Sequence, residues 1–374
     1  QGAGVVYLDV FHPDIIAFLS TKKENADEKV RVKTLSLGVT IPDKFYELAR
    51  KNEDMYLFSP YSVELEYGVP FSYIDITEKY DELVANPKIR KTKIKARDLE
   101  TEISKLQQES GYPYVINIDT VNRHNPVDGK IIMSNLCSEI LQVQTPSVIN
   151  DSQEYVQMGT DVSCNLGSTN IVNLMKSPDF GRSVRTMTRA LTYVTDHSHI
   201  SAVPSIEAGN ERAHSIGLGA MGLHSYLAQN LIDYGSKTAV EFTNIYFMLL
   251  NYWTLVESNN IARERKATFH NFDKSKYADG TYFEKYVTGD YQPSSDKVKG
   301  LFEGIFIPSG QDWADLRDKV MADGLYHQNR LAVAPNGSIS YINDVSASIH
   351  PITQRIEERQ EKKIGKIYYP AAGL

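Results

Sequence analysis

The chain has 374 residues, 41% hydrophobic and 23% charged, an ordinary make-up for a globular protein with a large core. Its net charge of −7 leaves no basic footprint for a nucleic-acid polymer, and no run of roughly eighteen apolar residues or signal peptide points to a membrane. Two cysteines, Cys137 and Cys164, give no disulfide framework and favour a reducing, cytoplasmic compartment.

In chain order, residues 5–10 read as a buried strand and His12-Pro13-Asp14 opens a helix to about residue 21. Residues 22–33 are a charged surface loop, 35–41 a second strand, and 43–51 a short helix entered through Pro42. A brief strand stops at Pro60, and residues 73–83 and 96–109 have helical spacing. The basic run 88–95 between them reads as a solvated helix entry. Residues 114–118 form the next strand, followed by a polar loop over 119–130. Further on come a strand at 154–158 and helices at 183–196, 215–229, 239–263 and 311–321. Residues 273–297 are a Tyr-, Gly- and Asp-rich surface region, and 331–334 a short strand. Strands alternate with helices and read as continuous apolar runs, which predicts parallel strands covered on both faces, in an open α/β sheet or an α/β barrel.

The long polar loop leads to Ser134-Asn135-Leu136-Cys137-Ser138-Glu139-Ile140. In an extended segment, side chains alternate faces, so Asn135, Cys137 and Glu139 would share one side. A thiol there can be a nucleophile, a metal ligand or a hydrogen-atom donor, with the carboxylate as acid/base partner. An edge strand with one buried Cys fits the same local pattern. Cys164 follows 27 residues later, a spacing that excludes a CxxC pair and matches no zinc pattern. Gly217-Leu218-Gly219-Ala220-Met221-Gly222 matches G-x-G-x-x-G, but charged residues precede it instead of a strand. Helix packing through small residues explains it better than a dinucleotide site. Pro335, Asn336, Gly337, Ser338, Ile339 and Ser340 form a small-residue loop that suits a phosphate or an ordinary polar turn. Tyr368-Tyr369 reads as a strand with aromatic faces ending at Pro370, in preference to a radical relay.

Five stretches together resemble the large, catalytic subunit of class I ribonucleotide reductases, closest to class Ib. They are GAGVVYLDVFHPDI, SNLCSEI, DVSCNLGSTNI, the segment IGLGAMGLHSY expected as a helix, and APNGSISYINDVSASIHPI, in the family's order along the whole chain. The resemblance implies a ten-stranded α/β barrel with the active-site Cys on a central finger loop. Residues 1–374 would be part of that catalytic barrel domain. Cys137 would become a thiyl radical that takes the 3′ hydrogen of a ribonucleoside diphosphate. Glu139 would take the 3′-hydroxyl proton, and Asn135 would hydrogen-bond the substrate. Cys164 would be one member of the redox-active disulfide, and Pro335 to Ser340 would hold the substrate phosphates. Gln1, Gly2, Ala3 and Gly4 would be the tail of the loop that carries effector information.

The resemblance further implies no directly bound cofactor and no metal. A di-metal (Mn or Fe) small subunit would supply the radical, dNTP or ATP would act as allosteric effectors, and a glutaredoxin- or thioredoxin-like dithiol would re-reduce the site. The complete subunit would be a homodimer. The family's other reducing Cys and its N-terminal cone would lie upstream of Gln1, and its relay tyrosines and C-terminal cysteines beyond Leu374. Asn336 stands where this subgroup usually has Thr. Two rivals are a glycyl-radical relative, for which no glycyl motif is seen, and a catalytically silent assembly module.

Overall fold

The structure, a computed structural model, describes residues 3–163, 165–361 and 365–372. The chain divides into two compact units, one of residues 1–125 and 129–143, the other of residues 126–128 and 144–374.

The first unit begins β1 (Gly4–Asp9), α1 (Ile15–Ser20), β2 (Leu35–Ile41), α2 (Asp43–Lys51), β3 (Asp54–Phe58) and α3 (Pro60–Tyr67). It continues with α4 (Ile76–Ala85), β4 (Lys91–Lys95), α5 (Ala96–Ser110), β5 (Tyr114–Asn117) and α6 (Ile118–His124). Strands β1, β2 and β5 form a parallel sheet in that order, as the unbroken apolar runs predict. In β2 every residue after Leu35 is buried, the signature of a strand covered on both faces. Helix α5 buries Ala96, Leu99, Ile103 and Leu106 at three- and four-residue spacing. Helix α2 carries Asp43 in its first turn and Arg50 and Lys51 in its last, matching the helix dipole. Phe11, Phe45, Met55, Phe58 and Leu83 fill the core between these elements.

Two expectations are corrected here. The basic run does lead into α5, with Lys95 as its N-cap, but Lys91–Lys95 is itself a strand antiparallel to β3. Lys93 and Lys95 there meet Asp54 at 3.1 and 2.7 Å, so cross-strand charge pairing makes a strand of it. The polar stretch after β5 begins as helix α6, before the loop to Cys137.

The second unit contains β6 (Val148–Ile149), β7 (Tyr155–Gln157), β8 (Asn165–Asn170), α7 (Ile171–Leu174), α8 (Phe180–Asp196), α9 (Pro204–Ala213) and β9 (Ile216–Met221). After these come α10 (Leu223–Gln229), α11 (Lys237–Arg265), α12 (Glu284–Thr288), α13 (Asp296–Leu301) and α14 (Gly310–Asp323). The last elements are α15 (Ile339–Ile342), β10 (Ile356–Glu361) and β11 (Gly365–Pro370). The single helix expected over residues 215–229 is instead a fully buried strand, β9, joined by Gly222 at φ +83° to α10. β9 pairs in parallel with β8. A Cβ on Gly219 would lie 2.3 Å from the Ala332 carbonyl oxygen, and one on Gly222 would lie 3.0 Å from the Val345 side chain. Those glycines therefore serve close packing within the protein, which leaves no opening for a pyrophosphate. Residues 331–334 make only an isolated bridge, Leu331 to Leu218. The region 273–297 is less superficial than its composition suggests, since it buries Tyr277 and Phe283. Tyr368 and Tyr369 lie on β11, antiparallel to β10, with the strand ending at Pro370 as read from the sequence.

Among the described residues the strands form one three-stranded and four two-stranded sheets, without closure into a barrel.

Asp9 ends β1 with its carboxylate accepting from Phe11 N at 2.9 Å and Thr40 Oγ1 at 3.0 Å. Burial nonetheless pushes it up to about 6, against the pull of those hydrogen bonds and of Lys130. Between the unfolded value near 4 and that of the native state, folding takes up a proton, so raising the pH through this window removes stability. We expect unfolding titrations of the parent and Asp9→Asn to show the parent's advantage shrinking by roughly 2–3 kcal/mol from pH 4 to 6. A pH-independent difference would contradict this.

Candidate active site

Asn135, Cys137 and Glu139 belong to the first unit, on the loop that follows α6. The segment is not extended. Ser138 takes φ +66°, and its N–H donates to the Asn135 carbonyl at 3.2 Å, closing a turn over residues 135–138. Local hydrogen bonds win because, among the described residues, no strand pairs with this stretch. Asn135 Oδ1 accepts from Ile140 N at 3.2 Å, and Ser134 Oγ donates to the Ile140 carbonyl at 2.7 Å. Alternation along a strand therefore does not set how the amide, thiol and carboxylate are arranged. The turn does.

The loop rests on the parallel sheet. Tyr7 on β1 aligns with Gly38 on β2, and Gly38 with Tyr114 on β5. A Cβ on Gly38 would lie 2.2 Å from the Tyr7 ring, so the ring lies across that glycine. Its hydroxyl then reaches the Asn135 carbonyl at 3.0 Å and Ser138 Oγ at 2.9 Å.

Cys137 is exposed. Partial burial raises its thiol above the ordinary value, and the Glu139 carboxylate raises it further. A nucleophilic Cys needs the opposite, a cation or helix N-terminus that favours thiolate. Both influences favour the S–H form. Oε2 of Glu139 is buried and lacks a hydrogen-bond partner, an expensive arrangement for a carboxylate unless a ligand supplies the donor.

The loop Pro335 to Ser340 belongs to the second unit. Asn336 is buried there, with its amide nitrogen facing the carbonyls of Ala334 at 3.1 Å and Ala220 at 3.0 Å while its oxygen accepts from Ser168 Oγ at 2.7 Å. The reverse orientation would set oxygen against two carbonyls. Asn336 thus ties the loop to β8 and β9, and its side chain is spent on protein groups. Gly337 N–H donates to the Pro335 carbonyl at 2.8 Å, and Ser340 N–H to the Asn336 carbonyl at 3.3 Å. Ser338 and Ile339 are exposed. Cys164, Gln1 and Gly2 lie outside the described residues; Ala3 is exposed and Gly4 begins β1.

Sequence reasoning missed Tyr7, Ser138 and Ser168. Only the register of Tyr7 opposite Gly38 on the next strand could have singled out the first.

The family described as "Ribonucleotide reductase, barrel domain" matches residues 1–374. The chain is 46% identical over its whole length to the protein named "Ribonucleoside-diphosphate reductase subunit alpha" of Mycoplasma pneumoniae, covering 53% of that relative. It is likewise 46% identical over its whole length to the Bacillus subtilis protein of that name, covering 54% of it. The Treponema pallidum protein of the same name is 32% identical over 96% of the chain and is covered to 43%. The chain spans about half the length of the curated relatives that it matches most fully. With the thiol, the carboxylate and the small-residue loop all carried by one matched segment, the chain belongs to the ribonucleotide reductase family, as part of its barrel domain.

Proposed function

We propose that this chain is the catalytic barrel portion of a class Ib-like ribonucleoside-diphosphate reductase large subunit, with residues 1–374 forming part of a ten-stranded barrel domain. The observation that carries the reading is an exposed Cys137 thiol two residues from Glu139, whose Oε2 is buried without a partner and whose charge, with partial burial, raises the thiol. Hydrogen-atom chemistry needs an S–H bond to form and break, and an environment that disfavours thiolate suits it. The relatives' names point to the same substrate class.

In this proposal a radical arriving from a di-metal (Mn or Fe) small subunit converts Cys137 to a thiyl radical. That radical takes the 3′ hydrogen of a ribonucleoside diphosphate. Glu139 accepts the 3′-hydroxyl proton through its vacant oxygen, and the Asn135 amide hydrogen-bonds the substrate. The 2′ hydroxyl takes a proton from a reducing dithiol and leaves as water. Two electrons come from that dithiol, of which Cys164 is one member, and a glutaredoxin- or thioredoxin-like protein reduces the resulting disulfide. Cys137 then returns its hydrogen to the 3′ carbon. The substrate diphosphate is held by the loop of Pro335, Asn336, Gly337, Ser338, Ile339 and Ser340, in which Asn336 fixes the backbone while the exposed Ser338 offers its hydroxyl. Gln1 to Gly4 end the loop that senses dNTP or ATP effectors. The complete subunit works as a cytoplasmic homodimer.

Cys137→Ser in the full-length subunit, assayed with its small subunit and a dithiol, should lower kcat by roughly a thousandfold or more while substrate binding stays near the parent value. Glu139→Gln should cost about 10²–10⁴-fold in kcat, since it removes the proton acceptor and keeps the shape. Turnover by Cys137→Ser at the parent rate would remove the thiol from its role. Asn336→Ala should act differently. It frees the loop and leaves Ser168 and two carbonyls without their partner, so steady-state kinetics should show KM raised about tenfold with kcat changed little.

A further inference from the structure

The geometry points to Tyr7 as the positioning residue for Cys137: its phenol bridges the two ends of the Asn135–Ser138 turn and so fixes where the thiol is presented. This inference rests on the hydrogen-abstraction reading above and adds a residue to it.

Four features support the assignment. First, the hydroxyl meets the turn at both ends, with the Asn135 carbonyl at 3.0 Å and Ser138 Oγ at 2.9 Å. The phenol has one proton, so the arrangement that satisfies every group has Tyr7 donating to the carbonyl and accepting from the Ser138 hydroxyl. Second, the turn needs a clamp. Ser138 is a non-glycine residue at φ +66°, a conformation that L side chains adopt at a cost and keep only when their surroundings hold them. The one backbone hydrogen bond across the turn, from Ser138 N, measures 3.2 Å. Third, the anchor is rigid. Tyr7 sits within a parallel strand pair, and its ring occupies the space over Gly38 that any side chain there would take. Fourth, the phenol is kept neutral. Burial raises Tyr7 against the pull of the Ser138 and Ser134 hydroxyls, and the Glu139 charge adds to the rise. A phenol that stays protonated remains a donor to Asn135 throughout the working pH range.

Why this matters follows from the chemistry. Transfer of a hydrogen atom requires the sulfur within contact distance of one C–H bond, and a misplacement of about an ångström costs on the order of a hundredfold. A two-ended clamp limits the spread of sulfur positions without touching the substrate. Tyr7 is therefore a positioning residue that acts through the turn, and its loss should appear in kcat and not in KM.

Among the described residues, the titratable groups electrostatically linked to the thiol are Glu139 on its own loop, Tyr7 on β1 and Tyr114 on β5. Loosening the turn should draw the thiol away from Glu139 and from its partial burial, letting its titration fall towards the ordinary value. The test has two arms. In the 374-residue chain with Cys164→Ser as labelling background, the pH dependence of Cys137 alkylation by iodoacetamide is measured with Tyr7 intact, with Tyr7→Phe and with Ser138→Ala. Phe keeps the ring over Gly38, so folding is preserved, and Ser138→Ala cuts the clamp from the other side should Phe disturb the sheet. Both variants should lower the apparent thiol midpoint by about half a pH unit, roughly threefold more thiolate at neutral pH. In the full-length subunit with its small subunit and a dithiol, Tyr7→Phe should lower kcat about 10–100-fold and leave KM within about threefold. Unchanged alkylation profiles in both variants, or a Tyr7→Phe loss expressed in KM with kcat intact, would overturn the inference. A shifted thiol profile in a subunit whose parent shows no Cys137-dependent turnover would uphold the clamp and sink the hydrogen-abstraction reading instead.

Discussion

A four-residue turn, closed by Ser138 in the left-handed region, presents the one thiol among the described residues. Such a backbone costs about 1–2 kcal/mol for a side chain with a Cβ, so something must hold it. The holding comes from below, through a tyrosine that can cross from β1 to the loop because β2 has a glycine at the facing position. The parallel sheet is thus more than a scaffold of the right class. Its register decides which side chain reaches the turn.

Electrostatics then select among the reactions open to a thiol. Both influences on Cys137, partial burial and a neighbouring carboxylate, disfavour thiolate. The same carboxylate has one oxygen buried without a hydrogen-bond partner, as the proposed proton acceptor requires. A nucleophilic site would show the reverse: a depressed thiol and a carboxylate spent on a base. At the other loop the economy is of a similar kind. Asn336 satisfies two carbonyls and a serine, so its side chain ties the loop to its neighbours, while Ser338 is exposed.

Much of this was legible in the residues. The strand over 35–41, the helices near residues 96–110 and 237–265, and the strand ending at Pro370 follow from apolar runs, spacing and breakers. Residues 215–229 misled, because small residues in a doubly buried strand carry no periodic signal, and only the pairing with β8 decides it. The run Lys91–Lys95 misled for the opposite reason: its charges find partners across a strand pair that local sequence does not show. At the site, the chemical types in Asn135-Leu136-Cys137-Ser138-Glu139 were readable but their arrangement was not. Alternation assumed a strand, while a turn fixed by contacts more than a hundred residues away in the chain sets the geometry.

The central claim, that Cys137 removes the 3′ hydrogen of its substrate, is tested most directly by turnover of a ribonucleoside diphosphate deuterated at the 3′ carbon in the full-length subunit. A primary isotope effect on kcat/KM is expected, lost together with turnover in Cys137→Ser. Reduction at the same rate for both isotopes, persisting in Cys137→Ser, would contradict it.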